Sequence, residues 1–357
     1  MVTTSDWQLQ MNQVTHLQAQ DNHSEAEALC KQLLADLPPT PVGWVLQVKL
    51  QSHLITSLEA QARYGEAQTQ LQAAQLALNE IKANYPAKIS LPLELKLSSQ
   101  QGTLARIQGH YPQAEQVFQQ VIQLVEDQGL RHQPIWIRLL NDLAIVYKYW
   151  GKFEAAEDLY QTALAALIER HGEQHIEVAT IYHNLGGLNH SRRHYVEAEP
   201  YARKSYQLHV DLLGADHAKT IADAAALGSI LHGLEQYDDA IAYFEAAIAF
   251  FEQQFGPIHY EIAINLNNLA ASLQAKGELE SAEQAYRRAL ELKETLLGSE
   301  HPDVAISLNN LASLLQKMDR STEAGELFER AIACFEATVG PEHPNTQLCR
   351  NNAARQS

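Results

Sequence analysis

An all-α fold of stacked antiparallel helix pairs is predicted by three observations: a fixed 42-residue repeat, two helical apolar stripes inside each repeat, and small residues recurring where the paired helices must cross. Glycines stand at Gly172, Gly214, Gly256, Gly298 and Gly340, each 42 residues from the last. Three residues after each comes a histidine, at His175, His217, His259, His301 and His343. Self-similarity at such a period means supersecondary units stacked side by side.

Within the period from Gly256 to Gly298, Leu266, Leu269, Ala270 and Leu273 stand at i, i+3, i+4 and i+7, one stripe of a first helix (helix A). Ala282, Tyr286 and Ala289 form the stripe of a second (helix B), and Gly277 supplies the turn between them. Gly298 fits a helix C-cap in a left-handed conformation, and Pro302 fits the first turn of the next helix, where a missing N–H costs nothing.

Counted from each period glycine, position 14 holds Gly186, Gly228, Ala270 and Ala312, and position 26 holds Ala198, Ala240, Ala282 and Ala324. Position 33 holds Ser205, Ala247, Ala289 and Ala331, while Phe244, Tyr286 and Phe328 bring an aromatic to position 30. Small and large side chains alternating at fixed offsets satisfy the ridge-and-groove packing of an antiparallel pair.

The order Leu269-Ala270, Gly277, Ala282, Tyr286, Ala289 resembles the tetratricopeptide repeat (TPR). The 42-residue variant with Gly298-x-x-His301-Pro302 and a following Asn309-Asn310-Leu311-Ala312 is similar to the repeats of kinesin light chains and their bacterial relatives. The match is strong from Gly129 to Gly340 and weaker on either side. The resemblance implies a right-handed superhelix (an α-solenoid) whose A helices line a concave groove that binds peptides or helices of other proteins. It does not imply a motor partner, since no long heptad segment is present.

The regions expected are residues 1–88 as irregular TPR-like helix pairs, 89–340 as a regular array of about six repeats, and 341–357 as a capping helix. Near the amino terminus, Ser24 to Glu27 resembles a capping box, Leu37-Pro38-Pro39-Thr40-Pro41 ends that helix, and Trp44 begins the next. Ala60 to Tyr85 reads as one long helix stopped by Pro86. Ile89 to Leu97 alternates apolar and polar as a strand would, but the repeat register and Pro92, suited to a helix start, favour helix. At the other end, 343–355 reads as the end-cap that a solenoid needs, with Arg350 and Arg355 keeping its outside wet.

Composition bounds the function. Acidic residues outnumber basic ones, 43 to 26, for a net charge of −17, which argues against a nucleic-acid partner. Cys30, Cys334 and Cys349 are scattered and fit a reducing compartment. With no basic leader and no run of 18 apolar residues, the chain reads as a soluble cytoplasmic protein without a membrane partner. Between Lys219 and Lys276 there is no Lys or Arg, while Asp223, Glu235, Asp238, Asp239, Glu245, Glu252 and Glu261 form an acidic band. That band is either a solvated face or an attractor for a basic partner.

On helix A the core stripe is positions 10, 13, 14 and 17, so positions 8, 12, 15 and 19 face the groove. These and their neighbours give the candidate site: Arg138, Asn141, Tyr149, His183, Asn184, Ala226, Asn267, Asn268, Asn309, Asn310 and Lys317. The asparagines form a ladder able to pair with the backbone of an extended ligand, and the resemblance implies that role for them. The same amides could instead link adjacent A helices or solvate an exposed face. Small groove residues, from Gly187 through Ala226 and Gly233 to Ala275, would let a partner approach closely, although alanine is also simply a good helix former. In the middle repeat Asn-Asn becomes Ala225-Ala226, which removes a rung and leaves a pocket suited to an aromatic or leucine side chain. Only Arg138, Asp142 and Lys317 charge the groove stripe, so an acidic-peptide preference does not carry over from the kinesin light chains.

Sixteen histidines invite a metal reading, but the period histidines fall one per repeat and serve as helix caps. His171, His175 and His183 are the only tight group, with no Cys or carboxylate pattern to complete them, and no metal or other cofactor is expected. No phosphate loop or nucleophile elbow appears. The expected function is a non-catalytic protein-interaction scaffold binding a peptide or helix in its concave groove. Two readings stand beside it: a receptor for a short signalling peptide, though no effector domain is visible, and a metal-dependent hydrolase using the histidines near His183. The groove's occupant is left open between a separate protein, a second copy of the chain, and the chain's own amino-terminal segment.

Overall fold

The computed structural model describes residues 4–19, 22–37, 40–61 and 63–354. These residues form helices and turns and contain no strand, and they divide into two compact units, Met1–Gln128 and Gly129–Ser357. No helix among them is long and apolar enough to cross a membrane.

The first unit holds α1 (Thr4–Ala19), α2 (His23–Ala35), α3 (Pro41–Ala60), α4 (Tyr64–Asn84), α5 (Ala87–Ile107) and α6 (Tyr111–Asp127). Several boundaries differ from the sequence expectation. Helix α2 is capped by Asn22, whose side chain accepts from the Glu25 N–H, rather than by a box at Ser24. Helix α3 opens three residues before Trp44, because Thr40 caps it and Pro41 fills its first turn. The stretch from Ala60 is split, with α3 ending at Ala60 and α4 opening at Tyr64. Pro38 and Pro39 lie outside the described residues. The alternating stretch is helical, but Pro92 sits inside α5 and not at its start. The proline removes one i→i−4 bond, and buried Leu93, Leu95 and Leu97 keep the turn packed.

The second unit holds the regular pairs. They are α7 (Pro134–Trp150) with α8 (Phe153–His171), α9 (Ile176–Ser191) with α10 (Tyr195–Leu213), and α11 (Ala218–Gly233) with α12 (Tyr237–Phe255). Then come α13 (Tyr260–Lys276) with α14 (Leu279–Leu297), α15 (Pro302–Lys317) with α16 (Ser321–Thr338), and the single α17 (Pro344–Ala354). Ala198, Ala240, Ala282 and Ala324 have no exposed surface, so position 26 is the floor of every helix crossing. Helix α17 covers the last apolar face through buried Thr346 and Cys349, and Arg350 on its outside pairs with Glu336 at 2.6 Å. Arg355 lies outside the described residues.

The turns show how the period is enforced. Each period histidine is an N-cap whose Nδ1 accepts the backbone N–H two residues on, at 3.3 Å for His175, 3.1 Å for His217, 3.2 Å for His259 and 3.1 Å for His301. The glycines before them differ from the left-handed caps that their spacing predicts. Gly172, Gly214, Gly256 and Gly298 combine φ of +79° to +92° with ψ of 159° to 178°, an extended positive-φ region open essentially to glycine alone. The chain must straighten there to reach the histidine cap.

The turn from helix A to helix B also needs a positive φ, at position 21. Gly151 and Gly277 supply it without strain, whereas Arg193, Glu235 and Asp319 adopt φ of 60°, 63° and 59°. A left-handed residue with a Cβ costs roughly 1–2 kcal/mol. Glu235→Gly is therefore expected to stabilise the chain by about 1 kcal/mol or less after glycine's entropy is counted. Ala282→Leu overpacks the crossing and should cost about 1–3 kcal/mol. Urea unfolding followed by circular dichroism measures both shifts, which have opposite signs.

Candidate functional site

The face expected to line the groove belongs to α7, α9, α11, α13 and α15. No residue at positions 8, 12, 15 and 19 is buried: Arg138 and Tyr149 on α7 and Lys317 on α15 are exposed, and Asn184, Ala226, Asn268 and Asn310 are half-buried. Position 11, one residue before each ladder asparagine, holds half-buried Asn141, His183, Asn267 and Asn309.

The amides bond to one another in a fixed pattern. The second asparagine of one repeat donates to the first of the preceding repeat: Asn184 Nδ2 to Asn141 Oδ1 at 2.6 Å, Asn310 Nδ2 to Asn267 Oδ1 at 3.1 Å, and Asn352 Nδ2 to Asn309 Oδ1 at 3.0 Å. The ladder thus links neighbouring A helices, each bond using part of an amide that has two donors and two acceptor lone pairs. Two consecutive rungs are missing. At one, Ala226 stands where an amide would meet His183, and at the other Asn268 faces Ala225. Asn268's amide consequently makes no hydrogen bond among the described residues.

Deprived of a ladder partner, His183 turns to Asp223 on α11. Asp223 Oδ1 accepts from His183 Nδ1 at 2.8 Å, and Oδ2 accepts from His209 Nδ1 at 2.8 Å and from the Ser205 hydroxyl. Ser205 and His209 both sit on α10. Asp223, Ser205 and His209 are buried, so Asp223 does not belong to the acidic surface band. Burial pushes the Asp223 carboxyl up, but hydrogen bonds from His183, Ser205 and His209 and the charge on His183 outweigh that, holding it below the ordinary aspartate value. The rest of the band is partly neutralised, with Asp238 2.8 Å from Lys276 and Glu252 paired to Arg288.

Beside this cluster lies a cavity of about 170 Å³ between α9, α10 and α11. His183, Gly187 and His190 line it from α9, Ala202 and Ser205 from α10, and Asp223, Ala226, Ser229 and Ile230 from α11. Burial pulls the His190 imidazole down, with Lys148 and His232 adding to the effect, which favours the neutral ring. Of the predicted site residues, His183 and Ala226 meet here. Reading the sequence alone missed Ser205, His209 and Asp223, yet a signal was present: Ser205 is the single hydroxyl at position 33, against Ala163, Ala247, Ala289 and Ala331.

The histidine group named from the sequence is rearranged. His183 is not with His171 and His175, because eight residues of helix carry it about 12 Å away from His175. Glu177 takes its place, and ligand atoms of His171, His175 and Glu177 lie within 4.8 Å of one another. The two imidazoles stack at 4.1 Å, and His175 Nδ1 already caps α9. Accepting that bond places the neutral ring's proton on Nε2, so a metal at either nitrogen of His175 would have to displace a proton or the cap.

Paired helices stacked over a common face, with side chains presented along one row, define a helical-repeat solenoid. The tetratricopeptide repeat model matches residues 93–169, 137–209, 177–253, 260–321 and 303–355, and the chain belongs to that family. No curated protein matches the sequence. Among solved structures, BtubC (BKLC) from P. vanneervenii is 19% identical, with 63% of this chain and 91% of that one covered and a TM-score of 0.50. A Rap protein complexed with competence and sporulation factor is 16% identical, with 99% and 100% covered and a TM-score of 0.55. The Cut9–Hcn1 assembly of the APC/C is 16% identical, with 99% and 56% covered and a TM-score of 0.54. At these identities the likeness is one of fold.

The Asp223 cluster makes a pH prediction. A carboxyl whose folded pKa is depressed adds stability that is present above the unfolded value, about 3.9, and lost as pH falls through the folded value. Asp223→Asn should cost about 1–3 kcal/mol at pH 7, because it replaces one acceptor oxygen by an amide donor facing His183 or the buried His209, whereas Ser205 keeps the Ala179 carbonyl as acceptor. The gap between wild type and variant should persist at pH 5 and close below pH 3.9, read from thermal unfolding at each pH.

Proposed function

We propose that the chain binds an extended segment of a partner polypeptide along the groove face of its A helices, with Asn268 pairing to the ligand backbone. The observation that carries this reading is the break in the amide ladder. Asn184, Asn267, Asn309 and Asn310 spend hydrogen-bonding capacity on neighbouring helices, while Asn268 holds its donors and acceptors toward solvent in the same row. An amide pairs with a peptide group whatever the ligand's side chains are. Small neighbours, Ala271 and Ala275 on the same face, let a backbone come close to α13.

The groove carries little charge of its own, so specificity must come from shape and hydrogen bonding more than from steering. A free signalling peptide and an extended segment of a folded protein would use the same contacts. They differ in whether a terminal charge is needed, so matched peptides with free and blocked ends separate the two.

Peptides selected from a random displayed library and measured by fluorescence anisotropy test the reading. Asn268→Leu should weaken binding about tenfold, with the thermal midpoint unchanged, because no intrachain bond is lost. Asn310→Leu should lower both affinity and stability, because it also breaks the bond to Asn267. Selected peptides that bind both variants as tightly as wild type would place recognition elsewhere and end the proposal.

A further inference from the structure

The cavity between α9, α10 and α11 is lined by the residue at which one repeat lacks a ring that the others carry. At position 30 the successive B helices carry Tyr160, Ala202, Phe244, Tyr286 and Phe328. The four aromatics are at most 3% exposed and fill their crossings. At Ala202 the Gly186 backbone closes in on one side, and the space that remains is bounded by Ala202, by Gly187 on α9 and by Ala226 on α11. An apolar cavity of about 150 Å³ is large enough to hold a benzene ring, and this one measures about 170 Å³.

Its polar edge is built as deliberately as its walls. Whenever the His183 ring is neutral, its bond to the Asp223 carboxylate keeps the proton on Nδ1 and leaves the Nε2 lone pair as an acceptor. The Asp223 carboxylate already accepts from His183, His209 and Ser205, so it has little left for a cationic guest, and its charge opposes an anionic one. Lys148 Nζ, 5.8 Å from the centre of the Tyr149 ring, stands 3.2 Å from the place a Gly187 Cβ would occupy, and an ammonium there favours the face of an aromatic ring.

We propose that this cavity anchors a tyrosine side chain of the partner polypeptide. The ring occupies the space beside Ala202, and the phenol donates its proton to His183 Nε2. This rests on the groove reading above and adds the side chain that the groove selects.

The test uses p-cresol, the tyrosine side-chain analogue, and toluene, which lacks the hydroxyl, titrated into the full chain at pH 8 with ligand-observed NMR. Saturable p-cresol binding is expected, with toluene weaker by roughly tenfold. Ala202→Phe restores the ring of the other repeats and should abolish binding at unchanged helicity. Ala226→Phe fills the same space from α11 and is measured alongside, because Gly186 packs on the Ala202 backbone and leaves Ala202→Phe little room to adjust. His183→Leu, on the half-exposed face of α9, should remove the preference for p-cresol over toluene while keeping both bound. Absence of saturation, equal affinity for toluene in the wild type, or p-cresol binding that survives both filling variants overturns the proposal. A wild type that binds selected peptides through Asn268 but takes no p-cresol sinks the anchor alone. One that takes p-cresol but selects no peptide sinks the groove reading alone.

Discussion

One helix pair of this chain cannot bury both of its apolar faces, and that deficit organises the second unit. Each pair packs its A and B helices over an alanine floor at position 26, then offers its remaining apolar face to the next pair. The stacking fixes where every A helix stands relative to its neighbour, and so allows an amide on α9 to reach α7, or one on α15 to reach α13. Helix α17 ends the series by covering a face without creating another.

The period itself is enforced at the turns by two backbone demands. One is a positive φ with an extended ψ, which only glycine meets easily, and the other is a side-chain acceptor for the first N–H groups of the next helix, which histidine Nδ1 provides. A histidine reading based on metal chemistry loses most of its candidates to this structural duty. At position 21 the demand for positive φ is met less well, and Arg193, Glu235 and Asp319 carry the strain. Their repeats fold regardless, because the buried crossings on either side outweigh a local cost of roughly 1–2 kcal/mol.

The cavity and the buried carboxylate gather where the repeat is broken. The repeat of α9 and α10 trades an aromatic for Ala202, an alanine for Ser205 and a large apolar residue for His209, while α11 gives up both ladder asparagines and gains Asp223. Each exchange alone would leave a void or an unpaired polar group. Together they satisfy most of one another's hydrogen bonds and leave a cavity with His183 at its edge. A change that stability alone would disfavour, concentrated in one place, is the pattern that a binding site leaves in an otherwise regular array.

The sequence by itself determined the helix pairs of the second unit, their 42-residue step, the crossing residues, the histidine caps and a row of A-helix side chains that stay out of the core. All of these follow from local periodicity and from backbone conformations that few residue types can adopt. Tertiary structure alone decided what those side chains meet. Asn184 and Asn141 stand 43 positions apart, and Asp223 joins residues 14, 18 and 40 positions away on two other helices. Those partnerships depend on how closely stacked helices approach, which is set by side-chain volume at the crossings. Spacing along the chain could place Asn268 and His183 on the same face, but only packing could leave one without a partner and give the other a buried carboxylate.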